Sequence, residues 1–169
     1  MRLRLSLHPK PFPYTESGEP DPGDWGAIHL QLCDENGENV RDILRQEWHL
    51  TGIARWFRLH AEALLSEPPH PSLVGESIAD AIGRFYSDDT EPEEQEFDAV
   101  LQYRQRHGLR FAMRGTDIPD VYIGFWNGRL EVSGSAGPGL WSEPIDGLDN
   151  VLAVCERVVS ENSIARSEP

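Results

Sequence analysis

VYIGFWNGRLEVS, Val121 to Ser133, is the stretch on which the fold turns. Asn127-Gly128 is the dipeptide of a type I′ turn, which needs positive φ at both central residues. A two-residue loop there pairs Trp126 with Arg129, Phe125 with Leu130 and Ile123 with Val132. Val121, Ile123, Phe125, Leu130 and Val132 then share one face, and Tyr122, Trp126, Arg129 and Glu131 share the other. A slip of one residue would invert every side chain, so a turn and an apolar pattern that select the same register specify it strongly. The first face is expected to meet the core and the second to point away from it.

Upstream, Leu109, Phe111 and Met113 alternate with Arg110, Ala112 and Arg114, which predicts a strand pairing with the hairpin. Residues 109–133 are therefore expected to form an antiparallel meander. Before Gly108 the period is helical. An acidic run, Asp88, Asp89, Glu91, Glu93, Glu94, Glu96 and Asp98, leads into Val100, Leu101 and Tyr103, with Arg104 at the far end. Acids at the start and Arg at the finish complement a helix dipole, and Gly108 is a natural stop. Two earlier helices are predicted. One covers about 50–65, with Thr51 as N-cap and Ile53, Trp56, Phe57, His60, Ala61 and Leu64 as its stripe. The other covers about 76–86, aligning Ile78, Ala81, Ile82 and Phe85. A last helix starts near Asp146 or Asp149 and runs to about Ser160.

At the N-terminus Leu3, Leu5 and Leu7 alternate with polar residues, as do Ile28, Leu30 and Leu32, giving two strands. Residues from Val40 suit a short strand or a helix start, and 140–143 suit a short strand. Prolines 9, 11, 13, 20 and 22 make about 8–24 a surface loop, and the tail after Asn162 is expected to fray. The order of strands, helices, meander and helix lacks regular βαβ alternation. It predicts a single α+β domain with a mostly antiparallel sheet and helices packed on one face. The 169 residues fit one domain, since domains commonly span about 100–200.

The chain carries 29 Asp and Glu against 15 Lys and Arg, a formal net charge of −14. That balance repels phosphate backbones, so no nucleic-acid partner is expected, while it favours encounter with a basic protein. Lys10 is the sole lysine, an Arg bias that hints at GC-rich bacterial coding. No apolar run has the length of a membrane span, and none of signal length follows Arg2 and Arg4, so no membrane partner and a cytoplasmic location are expected. Cys33 and Cys155 each sit in an apolar run and read as buried thiols.

Phosphate loops, His-Glu-x-x-His and Cys-x-x-Cys are absent. His8, His29, His49, His60, His70 and His107 are dispersed, and the acidic run has no Gly for the bend of a calcium loop. No metal, cofactor or catalytic residue is therefore assigned. The feature that does stand out is a basic and aromatic set: Arg104, His107, Arg110, Arg114, Trp126 and Arg129, with Arg106 among them. If the strands pair in order, Arg110, Arg114, Trp126 and Arg129 converge on the outer face of the meander. Guanidinium forks grip carboxylates, and Trp and Arg are enriched at binding hot spots. Those residues are the candidate interaction site. The alternative for the arginines is that they neutralise the chain's own acidic segment just upstream, or are covered by a helix.

Within 106–134, Arg106-His107, Leu109-Arg110, Gly115, Pro119, Tyr122-Ile123 and Glu131-Val132-Ser133 form a pattern that resembles a segment of uncharacterised bacterial proteins. The acidic α+β character is similar to that of immunity proteins, which neutralise toxins in bacterial competition. The resemblance implies a non-enzymatic binding protein with a basic toxin as partner. Two other readings stand beside it: a small enzyme with dispersed His and carboxylates, and a ligand-sensing module for anionic metabolites.

Overall fold

Alternation sets the first sheet. In the computed structural model, β1 (Arg2–Pro9), β2 (Trp25–Cys33) and β3 (Arg41–His49) pair antiparallel in the order β1-β2-β3. Leu3 faces Leu32, and Leu5 faces Leu30, which in turn faces Leu44, so one side of the sheet is a buried aliphatic layer. The structure describes residues 1–13, 24–38, 40–88, 92–136 and 139–165. Most of the proline-rich stretch at 8–24, and the end of the tail after 162, lie outside them.

These residues fall into two compact units, 1–59 with 147–169, and 60–146. The first holds the β1–β3 sheet, the start of α1 (Leu50–Ser66), and α4 (Asp149–Ala165), which packs on β1. Ile53, Trp56 and Phe57 of α1 are buried, as the stripe predicts, and so is Ala54, which lies outside it. Arg58 Nε donates to Glu156 at 2.8 Å, joining α1 to α4. The N-cap of α1 departs from expectation. Thr51 lies inside the helix, and Asp24 caps it from outside: the Thr51 amide donates to Asp24 Oδ1 at 2.8 Å, and the Thr51 hydroxyl also reaches that oxygen. Cys33 and Cys155 are buried free thiols, and burial pushes the Cys155 thiol up to about 12.

The second unit carries α2 (Ile78–Ser87), α3 (Glu94–His107), β4 (Val121–Trp126), β5 (Arg129–Ala136) and β6 (Gly139–Pro144). The strands form a second antiparallel sheet in the order β4-β5-β6. Its hairpin has the predicted register, with Trp126 opposite Arg129, Phe125 opposite Leu130 and Ile123 opposite Val132. Asn127 and Gly128 take φ of 49° and 82°, as a type I′ turn requires. The chain is thus α+β with antiparallel sheets, divided between two three-stranded sheets.

Two further expectations are corrected. The meander does not begin at Leu109. Leu109–Ala112 is a 3₁₀ turn, and only Gly108 bridges to Tyr122, so the meander is β4-β5-β6 and Arg110 and Arg114 are not strand residues. Nor does the second face of the hairpin point away from the interior. α2 packs on β4, β5 and β6, and α3 on β4, so Tyr122, Trp126, Glu131 and Ser133 are buried while Val121, Ile123 and Val132 are buried on the opposite side.

Candidate functional site

The second unit is organised by polar anchors beneath its helices. At the start of α2 three backbone amides find acceptors. Ile78 donates to Glu131 Oε1 at 3.0 Å, Ala79 to Ser133 Oγ at 3.1 Å, and Asp80 to the Ser77 hydroxyl at 3.2 Å. These satisfy donors that the first turn of a helix leaves without intrahelical partners. Glu131 is wholly buried, and that burial pushes its carboxyl up, against the pull of the Ile78 amide and the Ser133 hydroxyl.

α3 is pinned at its other end. His107 is wholly buried and stacks on Tyr103, with centroids 4.0 Å apart. Its Nδ1 lies 2.8 Å from the Ile123 carbonyl and its Nε2 3.2 Å from Glu67 Oε2. Arg106 grips the same carboxylate, with Nε donating to Oε2 at 2.8 Å. This guanidinium holds the Glu67 carboxyl below its ordinary range, and burial pushes the His107 imidazole down. The ring fits because β4 is glycine at 124: a Cβ there would stand 2.4 Å from His107 Nδ1.

Anchored in this way, α2 and α3 present an outer face. Tyr86 and Phe97 are 37% and 39% exposed and meet edge to face at 5.8 Å. Val74, 71% exposed, lies on the segment leading into α2. Asp88, Glu93, Glu94 and Asp98 are exposed on the same two helices and their ends. The sole basic residue of α2, Arg84, is held by Asp80 at 2.8 Å, which lowers the Asp80 carboxyl. A cleft of about 390 Å³ opens here between Ser72, Val74, Arg84, Phe85, Pro92 and Glu96. A second cleft, about 370 Å³, lies between α2 and the strands, with Tyr86, Arg104, Asp120, Tyr122, Ser135 and Leu140 in its walls. Neither cleft has a histidine in its lining.

The structure separates the residues singled out by sequence. Arg104 is half-buried. Its Nε donates to the Tyr122 hydroxyl at 3.3 Å, and its guanidinium lies 5.0 Å from the Tyr86 ring and 5.9 Å from that of Phe111. Arg114, exposed, lies 5.5 Å from the same Phe111 ring. Arg110 pairs with Asp120 at 3.5 Å. Phe111, Tyr122 and Asp120 therefore gather Arg104, Arg110 and Arg114. His107 and Trp126 are interior, Trp126 within the cluster that includes Tyr103, Tyr122 and Val100, and Arg129 stands exposed beside the hairpin turn.

Sequence reading passed over Tyr86, Phe97 and Asp120. Tyr86 lies one residue past the apolar stripe of α2, and Phe97 interrupts an acidic run; an aromatic in each of those places is the signal that was available. Elsewhere, His49 Nδ1 meets Asp24 at 3.3 Å, and His8 meets His29 edge to face at 5.6 Å. No group of three His, Cys, Asp or Glu among the described residues is placed to hold a metal ion, and none of their helices is long and apolar enough to cross a membrane. No protein-family model, curated protein or solved structure matches the chain.

Proposed function

We propose that the chain is a non-enzymatic binding protein that receives a basic protein partner on the outer face of α2 and α3, as an immunity protein receives the toxin it neutralises. One observation carries this reading: the exposed Tyr86–Phe97 pair is framed by Asp88, Glu93, Glu94 and Asp98, while the one cation of α2 is held by Asp80. Aromatic side chains supply most of the energy at interface centres, and an acidic surround speeds the approach of a basic partner while repelling acidic ones. The sequence-predicted arginines compete with this face only weakly. Arg106 and Arg110 already hold carboxylates of the chain itself.

The test is affinity purification of the tagged chain from its source cells, alongside two variants. Phe97→Ala removes the aromatic anchor, and Glu93→Gln with Glu94→Gln and Asp98→Asn removes the charge. The wild type should retain a basic protein at low salt and release it as salt rises. A central aromatic anchor is worth about 2 kcal/mol, or roughly 30-fold in affinity, so Phe97→Ala should lose that protein. The charge variant should associate more slowly. Retention of the same partner by both variants, or recovery of nothing basic, overturns the reading.

A further inference from the structure

The chain has nearly twice as many acids as bases, 29 against 15, and a half-buried guanidinium without a carboxylate partner is informative against that excess. Arg84, Arg106 and Arg110 hold Asp80, Glu67 and Asp120. Arg104 lies among them, half-buried, and among the described residues it forms no ion pair. Its Nε donates to the Tyr122 hydroxyl, and the rings of Tyr86 and Phe111 flank its guanidinium. It faces a cleft of about 370 Å³, within the range of about 300–1,000 Å³ typical of small-ligand sites.

The walls of this cleft sort into two kinds. One end is polar. The Arg104 fork is rigid and matches a carboxylate, and the Tyr122 hydroxyl, which accepts from Arg104 Nε, keeps its own proton to donate. Ser87 and Ser135 add hydroxyls. The remainder is apolar: Ala79, Ile82, the Tyr86 ring, and Leu140, which is 56% exposed. Asp120 also borders the cleft, so a dianion such as phosphate meets a like charge there. From this combination we infer that the cleft is a binding site for a small monocarboxylate with an aromatic or branched apolar body, its carboxylate on Arg104 and Tyr122 and its body against Tyr86 and Leu140. This site goes beyond the protein-docking face and does not depend on it.

The test titrates the full chain with three probes, followed by calorimetry and by backbone amide NMR signals. Phenylacetate has the carboxylate and the ring, phenylacetamide has the ring without the charge, and inorganic phosphate has charge without the ring. Phenylacetate should saturate with a dissociation constant of about 1 mM or tighter, as a ligand of roughly ten heavy atoms allows. The signals of Ser87, Asp120 and Ser135 should move. Phenylacetamide and phosphate should each bind at least about tenfold more weakly. Arg104→Met should abolish binding, and Arg104→Lys, which keeps charge without the fork, should weaken it. Leu140→Glu lies on the exposed rim, where a fold defect is not expected, and should also cost at least about tenfold by putting a charged group where the apolar body of the ligand packs. Absence of saturation with phenylacetate, equal binding of phosphate, or unchanged affinity in Leu140→Glu overturns the proposal.

Discussion

Replacing Glu131 with Gln should stabilise the protein progressively as pH rises. Glu131 has one oxygen on the Ile78 amide at 3.0 Å, while its second oxygen is buried without a hydrogen-bond partner among the described residues. The Tyr103 hydroxyl and the Trp126 indole nitrogen of the same unit are likewise buried without partners among the described residues. Burial raises the folded-state pKa of Glu131 above its ordinary value of 4.5. A group raised on folding contributes stability that is complete below the unfolded pKa and is lost as pH climbs through the folded one. An orphaned buried acceptor costs about 1–3 kcal/mol, and more when ionised. Gln keeps the carbonyl oxygen for Ile78 and cannot ionise. Its amide adds a buried donor, but that cost is the same at every pH. The informative quantity is therefore the change in the variant-minus-wild-type difference, which should rise by about 1–3 kcal/mol between pH 4 and pH 8. In urea unfolding, with a slope of about 2 kcal/mol/M, this is a relative midpoint shift of about 0.5–1.5 M. A difference that stays constant across that range would show that Glu131 titrates alike in the folded and unfolded chains and would refute the reasoning.

Two further substitutions test the anchors of α3. Glu67→Gln should act with the opposite sign. Arg106 lowers the folded pKa of Glu67 below its ordinary 4.5, so its contribution is present above that pH and is lost on acidification through the folded value. The variant should be less stable by about 1 kcal/mol at pH 7 and converge with the wild type as pH falls below the folded value, read by the same urea titrations. Gly124→Ala places a Cβ 2.4 Å from His107 Nδ1 and 3.1 Å from Ile78 Cδ1. Because the Ile123 carbonyl, Glu67 and the Tyr103 ring hold that imidazole, overpacking should cost about 1–3 kcal/mol, seen as a lower calorimetric Tm. A loss below about 0.5 kcal/mol would show that the ring yields freely.

The hairpin was legible because two independent signals, the Asn127-Gly128 turn and the alternation on either side, fix one register. The helices were legible because their apolar stripes recur over several turns. The segment at 109–113 was not, and the reason is arithmetic. A strand buries 109, 111 and 113, whereas a helical turn buries 109, 112 and 113, and the structure buries Leu109, Ala112 and Met113. Two of three positions coincide, so a five-residue window with apolar residues at 109, 111, 112 and 113 does not distinguish the periods. The second face of the hairpin was misjudged for another reason. Glu131 and Ser133 look like solvent-facing polar residues, but their partners are the amides of Ile78 and Ala79, more than fifty residues away in sequence. Tyr122 and Trp126 flanking Gly124 were the available hint, since bulky aromatics beside a glycine suit a covered surface better than a wet one. Of the candidate residues, Arg104, Arg110 and Arg114 do gather, though around Phe111 and Asp120 instead of along a strand.

The same anchors connect the interior to the charge outside. Glu131 and Ser133 from the strand, with Ser77, supply the acceptors for the first-turn amides of α2. Asp80 is then available to accept from the Glu76 amide and to hold Arg84 one turn on. That ion pair is partly exposed and adds little stability. Its consequence is electrostatic: it neutralises the only cation of α2, while α3 keeps its own cations in its last turn and acids in its first. Asp88, Glu93, Glu94 and Asp98 thus give the Phe97 side of this face an excess of negative charge, the condition under which charge steers association, while Arg104 lies against the Tyr86 ring.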